Sequence, residues 1–199
     1  MISLLIFIVL LFQSLPLIQH EEYVIRNFTV QDGLPVNSVY QMVQDDEGYI
    51  WFRTLDGLVR YDGYEFRVFN FGNTEGLYSN RVADMLKTSG NELWLIHVGG
   101  GAITRKTGSS FIPYSSVVGD FKGDIFRVIE TKNGGIWIST TEGIAEFNPQ
   151  TESFEMIDVP LLQSRTWAIE ATFDGGIIVM NENGPVSYTH LTLPTIYSV

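Results

Sequence analysis

Gly48-Tyr49-Ile50-Trp51-Phe52-Arg53-Thr54-Leu55-Asp56-Gly57-Leu58 returns, with its tryptophan and outer glycines in place, as Gly134-Gly135-Ile136-Trp137-Ile138-Ser139-Thr140-Thr141-Glu142-Gly143-Ile144. Asn91-Glu92-Leu93-Trp94 opens a further copy between them, so Trp51, Trp94 and Trp137 stand 43 residues apart. A glycine follows each tryptophan by six residues, at Gly57, Gly100 and Gly143. Gly48, Asn91 and Gly134 precede the tryptophans by three, and both residue types tolerate the positive φ of tight turns. Val39, Val82 and Ile125 lie twelve before, and Val43, Leu86 and Ile129 eight before. Phe66, Phe111 and Phe154 follow after a turn of variable length. A fourth copy over Arg165–Gly184 keeps Gly175 and Gly184 in register, with Ile178 in the tryptophan slot. A repeat of about 40–45 residues is the period of propeller blades.

Within one period the pattern predicts four strands. The first spans Ser38–Gln44 and is ended by the turn Asp45-Asp46-Glu47-Gly48. The second, Tyr49–Arg53, is almost continuously apolar, as are Leu93–Ile96 and Ile136–Ile138. Such runs suit strands covered on both faces, which stacked blades provide. The third is Leu58–Tyr61, the hairpin Asp62-Gly63 follows, and Glu65–Phe69 is the fourth. Asn148-Pro149-Gln150-Thr151 is the matching hairpin of the third unit. The tryptophans read as wedges between blades, since side chains fill the interior positions of such folds. The expected fold is all-β: a partial β-propeller of three complete four-stranded blades plus part of a fourth, at about residues 34–72, 77–116, 121–160 and 163–186. A ring needs about 4–8 blades, so the sequence reads as a fragment of a larger propeller.

Composition narrows the function. The 199 residues carry 12 basic and 23 acidic groups, a net charge of −11, which disfavours a phosphate backbone as partner. No cysteine is present, which removes thiolate metal sites, disulfides and cysteine nucleophiles. The three histidines, His20, His97 and His190, are widely separated. No Ser/His/Asp set, phosphate loop or metal motif stands out, and neither metal nor cofactor is expected. Ile2–Ile18 is largely apolar and no charge precedes Glu21. Residues 1–22 are therefore expected to be a signal peptide or an anchor, placing the body outside the cytoplasm. Ser187–Val199 breaks the blade pattern, resembles translated adapter DNA, and is set aside as a non-native tail.

Three strings then carry a resemblance: Asp32-Gly33-Leu34-Pro35-Val36-Asn37-Ser38-Val39, Gln44-Asp45 through Trp51, and Asp56-Gly57-Leu58-Val59-Arg60-Tyr61-Asp62-Gly63 with Phe66. They resemble the two-component regulator propeller repeat, over about residues 27–186. The family has a small residue two positions after the tryptophan, where Ser139 fits and Arg53 and Ile96 depart. An apolar leader before such repeats resembles the N-terminal region of hybrid two-component sensors. The resemblance implies periplasmic propellers, a β-sandwich, a membrane helix and a histidine kinase, with oligosaccharides as ligands and a homodimer as the intact form. On that reading this segment holds no catalytic module.

Ligands of propellers are expected at loops around one end of the central axis. Arg53, Asp56, His97 and Glu142 vary between units at these loops and are the candidate ligand contacts. Asn37 and Asn80 read as caps where strands begin. A competing enzyme reading starts from Asp46-x-Gly48-x-x-Trp51, which resembles an Asp-box of sialidase-type propellers. Ser89 and Lys132 break that spacing in the next units, and no carboxylate pair is singled out for glycosidase chemistry.

Overall fold

The computed structural model describes residues 23–99, 101–114 and 123–189. The expected leader over residues 1–22 lies outside them, as do Gly100 and the end of the tail. The first sheet is β1 (Val39–Gln44), β2 (Ile50–Thr54), β3 (Gly57–Tyr61) and β4 (Phe66–Phe69). The second is β5 (Val82–Lys87), β6 (Leu93–His97), β7 (Ile103–Thr107) and β8 (Ser110–Tyr114). The third is β9 (Ile125–Glu130), β10 (Ile136–Thr140), β11 (Gly143–Asn148) and β12 (Ser153–Met156). The last holds β13 (Thr166–Ala171), β14 (Ile177–Asn181) and β15 (Gly184–Tyr188). Strands follow in chain order within every sheet, and every pair is antiparallel. The three four-stranded blades and the partial fourth thus stand as expected.

The sheets fan side by side, with the first strands β1, β5, β9 and β13 innermost and in mutual contact. Each junction has its own apolar core. Trp51, Leu58 and Phe69 meet Val82, Met85 and Leu95 between the first and second blades. Trp94 and Ile103 meet Ile125, Val128 and Ile138 at the next junction. Trp137 and Ile144 meet Ile169, Ile177 and Val179 at the third. The three tryptophans are wedges, each only 1% exposed. Ile178, in the equivalent slot of the last sheet, is 45% exposed because no described residue packs against that face.

Polar staples join the inner strands. The Gln41 amide brackets the Met85 backbone, accepting from its N–H at 3.0 Å and donating to its carbonyl at 2.6 Å. Asp84, one period on, accepts from Val128 N at 3.0 Å and pairs with Arg127 at 3.3 Å. Each inner strand also carries a bulge near its start, at Tyr40, Ala83, Phe126 and Trp167. A bulge adds one residue and re-aims its side chain.

Two sequence expectations change. β15 runs through Ser187 and Tyr188, which pair with Ile178 and Ile177. Val186 and Tyr188 pack on the last junction, so strand alternation carries past the boundary placed at residue 186. In the second blade, His97 N donates to Ala102 O, and Ala102 takes the place that Gly57 and Gly143 take opposite Thr54 and Thr140. The turn there is two residues longer than in the first and third blades.

Candidate functional site

The β2–β3 turn and its counterparts share one end of the fan with the connectors between blades. Gly57 N donates to Asn80 O at 3.0 Å, Val98 N to Arg81 O at 2.9 Å, and Thr141 N to Asp124 O at 3.0 Å. These bonds tie the β2–β3 turn and its counterparts to the connectors at one end of the fan.

The last residue of each second strand is a buried polar residue, and in the first, third and last sheets its side chain latches the turn after it. Thr54 Oγ1 donates to Gly57 O at 2.7 Å and accepts from Asp56 N at 3.2 Å. Thr140 repeats this with Gly143 O and Glu142 N. Asn181 accepts from Asn183 N and donates to Leu161 O at 2.7 Å. His97 holds this position in the second blade. It is 1% exposed, and its Nε2 shares a 2.9 Å hydrogen bond with Thr104 Oγ1. That hydroxyl donates to Gly76 O. Burial drives the imidazole pKa down to about 4, against a weaker opposing influence of the Ser79 backbone. His97 is therefore a buried strand-end residue whose side chain faces Thr104 across the sheet, away from the loop surface.

The other candidates stay near the surface but do not converge. Arg53 is half-buried; its guanidinium lies 5.4 Å from the centre of the Tyr40 ring and donates to Val82 O at 2.9 Å. Desolvation lowers its pKa, against the opposing charges of Asp84 and Tyr40. Asp56 accepts from Asn80 Nδ2 at 3.0 Å, while Asn80 Oδ1 accepts from Phe71 N. Asn37 likewise accepts from Val30 N at 2.9 Å. Both asparagines thus fasten connectors. Glu142 is exposed, with its backbone held by Thr140.

Asp56 lines a shallow groove of about 510 Å³ shared with Leu55, Phe71, Tyr78, Asn80 and Arg81. Phe71 is 69% and Tyr78 44% exposed. Exposed rings beside an aspartate, an asparagine and an arginine can stack on an apolar ring face while hydrogen-bonding its hydroxyls. Sequence reasoning passed over Phe71 and Tyr78, because they sit in a connector with no fixed place in the repeat. Their only signal was aromatic character in a stretch otherwise rich in Gly, Asn and Ser. Among the described residues no group of three or more metal-ligating side chains converges.

The architecture is that of a segment of a β-propeller. Residues 33–56 match the two-component regulator propeller family. The extracellular domain of the hybrid two component system BT3049 from B. thetaiotaomicron superposes with a TM-score of 0.68 at 23% identity, over 86% of this chain and 24% of that one. The corresponding domain of BT4673 gives 0.69 at 21% identity, over 87% and 23%. A virginiamycin B lyase from Staphylococcus aureus gives 0.58 at 17%, over 78% and 57%. These likenesses are of fold. In sequence, 67 residues are 37% identical to Histidine kinase P4 of Formosa agariphila, 32% of this chain and 5% of that protein. The chain thus spans about a quarter of the extracellular domains it resembles.

Proposed function

We propose that this propeller segment belongs to the extracytoplasmic sensor region of a hybrid two-component sensor, and that its axial groove contacts an oligosaccharide. The match of residues 33–56 to the regulator propeller repeat carries the reading. The groove formed by Phe71, Tyr78, Asp56 and Arg81 supports the ligand class. In the intact receptor, tethered at the inner membrane as a homodimer, a ligand that binds one blade arrangement better than another shifts their balance. That shift would reach a histidine kinase on the far side of the membrane. No bond of the ligand is broken in this scheme.

A calorimetric screen of neutral oligosaccharides against the protein tests it. The expected result is saturable binding that Tyr78→Ala weakens about tenfold or more, with the sugar recovered intact. Hydrolysis of the bound sugar would move the protein to the carbohydrate-active enzymes of propeller fold. Absence of binding across the panel would remove the oligosaccharide reading.

A further inference from the structure

At the opposite end of the strands, a cleft of about 340 Å³ opens between the first and second blades. Arg60, Arg67 and Lys106 line it. Arg60 and Arg67 are direct cross-strand partners on β3 and β4. Like charges placed opposite each other destabilise a sheet. Among the described residues, none of the three cations forms an ion pair. The chain has only 12 basic residues and a net charge of −11, so three unpaired cations on one cleft are not a sampling of a basic surface.

The fold itself does not ask for them. At the place of the Arg60–Arg67 pair the second blade has Arg105 opposite Ile112, and the third has Glu146 opposite Glu155. The place of Lys106 is taken in the third blade by Phe147, whose ring meets Trp94 edge-on at 4.8 Å. There Trp94, Tyr114, Phe147 and Phe154 close the junction with stacked and edge-on rings. Between the first and second blades, Lys106 Nζ instead stands 4.9 Å over the Trp51 ring, and Arg60 4.1 Å over Tyr49. Those aromatic faces hold the cations in place without neutralising them.

Two carboxylates share the rim. Asp45 is already committed: its oxygens accept from Glu47 N at 3.0 Å, Tyr49 N at 2.9 Å and Trp51 Nε1 at 2.7 Å. Glu47 is exposed. Burial lowers the Lys106 pKa most, with Arg60 adding to it, and the charges of Asp45 and Glu47 oppose this. An added negative group between the three cations would relieve the repulsion between the arginines and satisfy all three.

We propose that this cleft binds a small oxyanion-bearing ligand, of the class of sugar acids and sulfate esters, held between Arg60, Arg67 and Lys106. The site is at the end of the blades away from the axial groove and does not depend on the oligosaccharide reading. Charge-assisted hydrogen bonds to a carboxylate or sulfate supply the affinity.

The test is calorimetry at low ionic strength with galacturonate, inorganic sulfate and uncharged galactose as probes. Galacturonate or sulfate is expected to bind one site per chain, and galactose not to bind there. Galacturonate alone would identify a sugar carboxylate, sulfate alone a sulfate group, and either supports the site. Arg67→Gln and Lys106→Gln should each weaken the anion about tenfold or more, while Lys132→Gln, exposed on the third blade and outside both sites, leaves it unchanged. Arg67 is exposed, so its variant keeps the packing of the blade. A second measurement needs no variant: bound galacturonate or sulfate should slow acetylation of Lys106 in the wild-type protein. Failure of both anions to bind, affinity that survives both substitutions, or unprotected Lys106 overturns the proposal. Loss of neutral-sugar binding on Tyr78→Ala is read separately and bears only on the axial groove.

Discussion

At the scale of single residues, equal positions in the repeat carry unequal chemistry, and two of them give measurable consequences. His97 occupies a latch position that is threonine in the first and third blades. The unfolded imidazole takes its proton near pH 6.5, while the folded one resists protonation down to about 4. A depressed pKa on a base means that the unfolded state binds the proton more readily. The latch is therefore fully stabilising above pH 6.5 and is lost as pH falls toward about 4. The gap corresponds to roughly 3 kcal/mol. Urea midpoints at pH 7 and pH 4.5 should thus converge when His97→Thr is compared with wild type, the variant losing less on acidification. Parallel losses would show that burial of the ring is not what sets its protonation. The second case is the indole N–H. Trp51 Nε1 donates to Asp45, while Trp94 Nε1 is buried without a hydrogen-bond partner. Asp45→Ala should therefore lower the stability of the protein by about 1–3 kcal/mol, because it orphans one buried donor and frees two turn amides. Thermal unfolding of Asp45→Ala beside Thr88→Ala, the same place in the second blade, measures it, with the larger loss expected in the first.

At the scale of strands and turns, glycine acts by two separable mechanisms. Gly143 has φ +138°, and a Cβ there would meet the Leu162 carbonyl oxygen at 2.3 Å. Gly63 has φ +98° with open space around it. Gly63→Ala should cost about 1 kcal/mol, the conformational penalty alone. Gly143→Ala should cost more, because backbone as well as dihedral must yield, and the difference in melting temperature between the two variants reports the contact. The same elements show what was legible in the sequence. The 43-residue spacing of tryptophans located the second strands, because a large ring wedged between sheets recurs once per blade. Asp62 and Asn148 were legible as hairpin formers, and each accepts two turn amides. The second blade is ambiguous at its turn. Gly99-Gly100-Gly101 offers three residues free to take positive φ, and spacing alone cannot choose among them. The bulges at Tyr40, Ala83, Phe126 and Trp167 were hidden, since one extra residue inside an alternating strand leaves composition unchanged. Phe71 and Tyr78 beside Asp56 were hidden for a different reason, since the connectors between blades keep no fixed place in the repeat.

At the scale of the whole molecule, stability is a sum over junctions. Three separate apolar cores hold four sheets, and each core is shared by two neighbours. Among the described residues, the second and third sheets are packed on both faces, and the first and last on one. The middle strands record this: every residue of β6 and β10 is buried, whereas β1 alternates partly buried with exposed positions. β15 is an edge strand with the same half-covered pattern. In a stack of such units, opening spreads from the terminal sheets inward, because opening an end sheet breaks one junction and opening a middle sheet breaks two. Hydrogen exchange followed by mass spectrometry should therefore rank the amides of β6 and β10 slowest, β2 and β14 intermediate, and β15 fastest. The Gln41 and Asp84 staples belong to the same scheme, since each crosses a junction from side chain to backbone. Asp84→Ala should accelerate exchange across β9 more than within its own sheet, as the lost bond is the one to Val128 N. Uniform protection across all four sheets would mean that the blades open as one cooperative body, and the additive account of the junctions would then be wrong.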